Sequence, residues 1–432
     1  MHIIMTTIRL YLASLITLSA PLASMAVSPA LPWAQSDPQA NECPAPVPKD
    51  AKCYTGQDSA GAYYWLAIPA NWKNDVLVMH AHGGPDQPGP ATLKRSEEDL
   101  KRWAITVKLG YAWAGSSYRR GGYGVTMAAM DTERLRQIFV RNFGAVRRTL
   151  LHGQSYGAGV AAKAAELYAT VDGKRGPYDG VLLTSGVLGG GVQAYNFRYT
   201  LRQVYQQACN NHPKPDEPQY PLWQGLPLDS KLTRPELAER VEACTGVRQP
   251  AAQRTPEQQE RLSTILQTGK LAERSLQGNL NWATWLFQDL TQRQLGNRNP
   301  FGPHADLAAV AALNDDSAPT GKVNVPVISH HAINDPTAFV ELQSVYREAL
   351  TAAGAQDLLV QTFSDEDEHS YLSEPQYPAL FSALLDWVDK GEKPTPQSIA
   401  QRCKPLEAAY GQTCRFVVEY SPQTLGQRMK GP

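Results

Sequence analysis

The sequence predicts an α/β fold: a mostly parallel central sheet flanked by helices and interrupted by a helical insertion. Three observations predict it. Short apolar runs alternate with stretches whose apolar residues recur at helical spacing, the pattern of strands joined by crossover helices. That alternation stops near residue 192 and resumes near 321, so the sheet is carried in two sequence segments. The 432 residues exceed one average domain but suit a single large α/β domain that carries an insertion.

The first residues stand apart from this fold. Residues 8–23 are mostly apolar, begin beside Arg9 and contain no acidic residue. Ser24-Met25-Ala26 then supplies small residues at the two positions a signal peptidase inspects, so 1–26 reads as a secretory signal. The run is too short, and too broken by Ser, Thr and Pro21, to serve as a membrane anchor. An exported protein, periplasmic or secreted and without a membrane span once the signal is cleaved, is the expectation.

Residues 27–50 are rich in Pro and Ala and read as an irregular lead-in. Asp75–His80 (DVLVMH) is a strand that runs into His82-Gly83-Gly84-Pro85. Leu100, Trp103, Ala104 and Val107 follow at i, i+3, i+4 and i+7, the spacing of one helical face. Tyr111–Ser116 (YAWAGS) is the next strand. A helix with apolar Met127, Met130, Leu135, Ile138 and Phe139 comes after it. Thr149–His152 (TLLH) is a short buried strand, and an Ala-rich helix, 158–168, can lie close against a sheet. Val181–Thr184 (VLLT) closes the first segment of the core, 27–191.

The insertion, 192–320, is polar, Gln-rich and helical in parts, with proline breaks around 213–227. It reads as a cap over the core. Its aromatic residues Tyr195, Phe197, Tyr199, Trp223, Trp282, Trp285 and Phe287 suit either the burial of a bulky substrate group or packing of the cap on the sheet domain. The core returns as 321–432. Val325–Ser329 (VPVIS) is a strand, a helix runs through Val340–Leu350, Leu358–Phe363 (LLVQTF) is a strand, and a last helix carries Leu380, Phe381, Leu384, Leu385 and Val388.

Charge and cysteine content exclude several classes. Lys plus Arg equals Asp plus Glu, 41 of each, so no net field draws a polyanion, and nucleic acid is not an expected partner. Six cysteines in an exported chain read as disulfides. Many pairings are open; the simplest is sequential, Cys43 with Cys53, Cys209 with Cys244 and Cys403 with Cys414. No CxxC spacing and no nearby His suggests a metal site in their place, and no cofactor is called for.

The chemistry centres on Gly153-Gln154-Ser155-Tyr156-Gly157, a G-x-S-x-G between a strand and a helix. A Ser on so tight a turn has its hydroxyl lifted above the sheet edge. The glycines two before and two after it, Gly153 and Gly157, leave room where strand and helix pass closely. Serine needs a general base, and the base needs an acid to orient it. In this architecture both follow the Ser in the order acid, then His, after later strands. Asp335 follows VPVIS and His369 follows LLVQTF, which gives Ser155, Asp335 and His369 in that order. Asp365, Glu366, Asp367 and Glu368 crowd the histidine and read as a solvated loop, with one of them the alternative to Asp335 as the acid. His330 and His331 come too early to be the base, and His152 reads as buried packing. Backbone N–H groups for a developing oxyanion are expected from Tyr156 and from Gly84, with Gly83 the neighbouring alternative.

On His82-Gly83-Gly84-Pro85, Gly153–Gly157, Asp335 and His369, the chain resembles the α/β-hydrolase superfamily over most of 60–200 and 320–392. The HGGP loop is similar to the HGGPG loop of proline iminopeptidases and related tripeptidyl aminopeptidases. Here the fifth residue is Asp86, and Ser117–Tyr123 (SYRRGGY) stands where that branch has DxRGxGxS. The resemblance implies a serine hydrolase with an acyl-enzyme intermediate. The expected function is cleavage of a carboxylic ester with a bulky or aromatic group, its partner a small-molecule ester. The alternative is a serine aminopeptidase acting on a peptide, with Glu236, Glu239 or Glu242 of the cap holding the amine. Arg119 and Arg120 read as surface residues, or as partners for a substrate carboxylate. A binding module on the same fold is disfavoured, because all three triad residue types are present.

Overall fold

A computed structural model describes residues 37–429, apart from Gln87, Phe287 and Pro303. The expected signal segment, 1–26, lies outside the described residues. Among the described residues, no helix is long and apolar enough to cross a membrane.

Nine strands among these residues form one sheet. They are β1 (Gln39–Asn41), β2 (Lys52–Gln57), β3 (Tyr63–Ile68), β4 (Val76–Ala81), β5 (Ala112–Ser116), β6 (Arg148–Gln154), β7 (Gly180–Thr184), β8 (Val327–Ala332) and β9 (Leu359–Ser364). Across the sheet they run β1-β2-β3-β5-β4-β6-β7-β8-β9. The pairs among β1, β2, β3 and β5 are antiparallel, and from β5 through β9 every pair is parallel. The mostly parallel sheet expected from the alternating pattern is therefore present.

Several boundaries differ from the sequence reading, each for a physical reason. The lead-in is not wholly irregular, since it contributes β1. The strands β2 and β3 go beyond the sequence expectations; β2 buries only Cys53 fully, so its sequence carries no apolar alternation. The TLLH strand continues to Gln154, so Ser155 follows it directly. The VPVIS strand continues to Ala332, and His330 and His331 lie inside it. Both are buried polar rings with partners: His330 Nδ1 lies 2.9 Å from Thr362 Oγ1, and His331 Nε2 lies 2.7 Å from the Ala338 carbonyl. A polar ring with a hydrogen-bond partner can occupy a central strand. The helix expected across Leu100–Val107 is two, α1 (Leu93–Arg102) and α2 (Ala104–Lys108), parted at Trp103, whose ψ of 21° leaves the helical region.

The sheet is covered on both faces, as a parallel sheet requires. Leu77, Met79, Leu151, Val181 and Leu183 pack with α3 (Val125–Phe143) and α4 (Tyr156–Leu167). The alternate residues Val76, Val78, Leu150, Leu182 and Ile328 pack with Leu380, Phe381 and Leu384 of the helix Gln376–Lys390. Each such buried Leu or Val contributes about 1.5–3 kcal/mol. Ala158, Ala161, Ala164 and Ala165 are buried along α4, the small face that lets it lie against the strands.

The insertion opens with α5 (Gly190–Cys209) and has an apolar cluster of its own, which includes Phe197, Leu201, Tyr205, Leu237, Val241, Leu262 and Ile265. Two of its helices, Arg234–Thr245 and Pro256–Gly269, begin with capping boxes, Thr233 with Glu236 and Thr255 with Gln258. In each, two end N–H groups are satisfied reciprocally, and Pro stands in the first turn. Three disulfides join Cys43 to Cys53, Cys209 to Cys244 and Cys403 to Cys414, the sequential pairing.

Strand register sets up the site. Ala81 pairs with Gly153, Gln154 with Thr184, Thr184 with His330 and Ala332 with Ser364. The loops after β4, β6, β8 and β9 thus leave the sheet along one edge, at the carboxyl ends where α/β sheets bind ligands.

Candidate active site

Ser155 occupies the turn between β6 and α4 with φ 59° and ψ −124°, a backbone state that non-glycine residues avoid. Neighbouring strands hold it there. Ser155 N–H donates to the Thr184 carbonyl at 3.0 Å, and its own carbonyl accepts from Ala158 and Val187 N–H at 3.1 and 3.0 Å. The flanking glycines are required by space. A Cβ on Gly153 would stand 2.2 Å from the Gly157 carbonyl oxygen, and one on Gly157 would stand 2.0 Å from that of Ala81.

The three loops bring Ser155, Asp335 and His369 together. His369 Nε2 lies 2.8 Å from Ser155 Oγ. Its Nδ1 lies 2.8 and 3.0 Å from Asp335 Oδ2 and Oδ1. Asp335 accepts from the backbone N–H of Thr337 and Ala338 at 2.8 and 2.9 Å. A carboxylate can only accept, so the network assigns the ring proton to Nδ1 and leaves Nε2 free to accept from the Ser155 hydroxyl. The Asp335 side chain is fully buried, while the His369 ring keeps 17% of its surface exposed.

A surrounding shell that the sequence did not announce holds these loops. His331 Nε2 donates to the Ala338 carbonyl and its Nδ1 accepts from Gln343 Nε2 at 2.9 Å. Burial pushes its pKa below the usual imidazole value, so it walls the acid's pocket as a neutral ring. Asp365, Asp367 and Glu368 are exposed, as a solvated loop implies, but Glu366 is buried. It accepts from Ser373 N–H at 2.7 Å and Gln376 Nε2 at 2.9 Å, and its carbonyl accepts from Asn334 N–H. Glu366 therefore braces the histidine loop against the acid loop. From the insertion, Arg274 Nη2 donates to the Asp367 carbonyl at 2.7 Å and lies 3.5 Å from that of Asn334. Neither Glu366 nor Arg274 belongs to a motif, so spacing gave no signal for them.

The HGGP loop lies against the serine. A Cβ on Gly83 would meet Ser155 Cβ at 3.3 Å and Gln154 Oε1 at 2.7 Å. Gly84 has φ +139°, which is readily reached only without a side chain. Among the described residues, no acceptor engages the backbone N–H of Gly84 or Tyr156.

Beyond this loop opens a cleft of about 350 Å³. Pro85, Asp86 and Pro88 line it from the core, and Trp282, Trp285 and Leu286 from the insertion. The Arg198 guanidinium stacks on Trp282 at 5.4 Å and that of Arg234 on Trp285 at 5.6 Å. The remaining expected cap aromatics divide differently. Tyr195 and Phe197 are buried packing residues, Tyr199 and Trp223 are half-buried, and Phe287 lies outside the described residues. Arg119 binds Asp131 through its Nε and backbone N–H, and Arg120 Nη1 donates to the Gly121 carbonyl. Glu236 caps its own helix at Thr233, while Glu239 and Glu242 pair with Arg248; none of the three lines the cleft.

No family model matches the sequence, and no curated protein sequence does. Among solved structures, the chain is similar to feruloyl esterase B from Aspergillus oryzae at 14% identity and a TM-score of 0.47, over 83% of this chain and 86% of that one. It is similar to lipase A of Candida antarctica at 14% identity and a TM-score of 0.43, over 91% and 88% of the two chains. An esterase from Aspergillus oryzae is similar at 11% identity and a TM-score of 0.44, over 80% and 81%. By its own strand order, its strand directions and the turn that follows β6, this chain has the α/β-hydrolase fold.

Proposed function

We propose that this chain is an exported serine hydrolase that cleaves a carboxylic ester with a bulky or aromatic group. The observation that carries the reading is the continuous path from Asp335 through both ring nitrogens of His369 to the Ser155 hydroxyl. Ser155 attacks the ester carbonyl while His369 Nε2 takes its proton, and Asp335 stabilises the resulting imidazolium. The N–H groups of Tyr156 and Gly84, with Gly83 beside them, receive the oxyanion. Collapse expels the alcohol, which takes the proton from His369 and leaves an acyl group on Ser155. Water, activated by His369, then releases the acid. The indoles of Trp282 and Trp285 give the cleft the apolar wall that an aryl or long acyl group needs.

Export is supported by the three disulfides, which persist in oxidising compartments. The peptidase alternative would need a free carboxylate near the cleft. Of the two that line it, Asp86 lies 3.4 Å from Arg95, and Asp289 accepts from Tyr123 N–H. A panel of p-nitrophenyl esters set beside aminoacyl and tripeptidyl anilides tests the assignment. Turnover of esters, abolished in Ser155→Ala, is expected; anilide turnover rivalling that of the esters would contradict it.

A further inference from the structure

Arg95, on α1, makes its contacts on the glycine loop. Its Nη2 donates to the Gly83 carbonyl at 2.5 Å, and its Nε lies 3.2 Å from His82 Nδ1. Two carboxylates fix the guanidinium in place, Asp86 at 3.4 Å and Asp99 at 3.6 Å. Asp99 is buried, and neither of its oxygens accepts a hydrogen bond among the described residues, so the ion pair compensates a charge that burial would otherwise penalise. His82 Nδ1 also lies 2.5 Å from the Gly83 carbonyl, and His82 is itself held: Tyr118 Oη donates to its carbonyl at 3.1 Å, and the two rings stack at 3.9 Å.

The peptide between Gly83 and Gly84 is not among the cis bonds of the chain. In a planar trans peptide the N–H points opposite to the C=O. Fixing the Gly83 carbonyl on Arg95 therefore fixes the Gly84 N–H on the other edge. Glycine on both sides makes rotation of this peptide cheap when nothing holds it. A rotated peptide would turn a carbonyl, not an N–H, into the place that N–H occupies.

We propose that Arg95 is a positioning residue: by holding the Gly83 carbonyl, it aims the Gly84 N–H at the oxyanion formed on the substrate of Ser155. The inference rests on reading Ser155 as the nucleophile. Arg95 touches neither substrate nor Ser155, and its contribution is made in the transition state, where the oxyanion carries charge. Its loss therefore lowers kcat and leaves KM nearly unchanged.

The test compares wild type with Arg95→Gln and Arg95→Lys, using an aryl acetate and a trifluoromethyl ketone inhibitor whose adduct on Ser155 carries an oxyanion. Both variants should lose about 10–100-fold in kcat, with KM within about threefold and the inhibitor weakened by the same factor as kcat. Arg95→Lys keeps a cation between Asp86 and Asp99 but not the two-pronged hold of a guanidinium; it carries the test if Arg95→Gln does not fold. Unchanged kcat, a change in KM alone, or lost kcat with undiminished inhibitor binding would overturn the inference. A wild type inert toward both ester and inhibitor would refute the reading of Ser155 instead.

Discussion

Asp335 grips His369 Nδ1 with both carboxylate oxygens, at 2.8 and 3.0 Å, while the N–H groups of Thr337 and Ala338 fix Oδ1 from behind. The carboxylate can accept the ring proton but cannot supply one. Asp335→Asn preserves the shape and can present an amide N–H to Nδ1, which favours the wrong tautomer. We expect kcat for an aryl ester to fall about 10³–10⁴-fold with the fold retained. Steady-state kinetics with circular dichroism checks this; a loss below about tenfold would remove Asp335 from the role of acid.

The elbow is a steric arrangement before it is a chemical one. Gly157→Ala places a Cβ 2.0 Å from the Ala81 carbonyl oxygen and 2.5 Å from that of His82, so α4 or β4 must shift. Overpacking of backbone on backbone costs about 1–3 kcal/mol. The expected result is a lower thermal midpoint together with loss of activity. Full activity at an unchanged midpoint would contradict this packing.

The cleft predicts a selective effect on substrate. Trp285→Ala removes one indole from the wall shared with Trp282, and about 1 kcal/mol of aromatic contact with it. KM for a naphthyl or cinnamyl ester should rise about fivefold, and KM for the matching acetate should stay within about twofold. Equal changes for both would remove this wall from substrate binding.

Acid should destabilise the protein through its buried imidazoles. Burial pushes His82 down to about 4, His330 to about 3 and His212 to about 2, and it also lowers His80, His152 and His331. Below about pH 6.5 the unfolded chain binds protons that the native rings exclude. Stability is therefore complete above that pH and is lost as pH falls toward the folded values. Asp99 acts in the same direction. Burial opposes its charge, yet His80 and Arg95 hold its pKa down to about 2, so its contribution is lost as pH falls below about 4. Each excluded proton steepens the loss by roughly 1 kcal/mol per pH unit. The urea midpoint should hold between pH 7.5 and about 6.5 and drop steadily from there to pH 5; a constant midpoint down to pH 5 would contradict the neutral burial of these rings.

The legible parts of the molecule were those in which local pattern and global role coincide. β4, β6 and β7 are apolar runs buried on both faces, and Ser155 sits in a motif whose glycines have steric causes visible in the sequence. Asp335 and His369 could be named because chain order and strand ends constrain them. β2 carries no apolar signature because it is half exposed. His330 and His331 extend β8 beyond its apolar run because each buried ring has a hydrogen-bond partner, Thr362 for one and Ala338 for the other, which hydropathy does not register. Glu366, Arg274 and Arg95 act through contacts between distant segments, and no spacing along the chain encodes those.

The central claim is that Ser155 is a nucleophile activated by His369. A fluorophosphonate probe forms a covalent bond only with such a serine, and peptide mass mapping locates it. The account predicts one phosphonyl group, on Ser155, with labelling abolished in both Ser155→Ala and His369→Ala. No labelling of the folded wild type, or labelling at another serine that persists in Ser155→Ala, would contradict it.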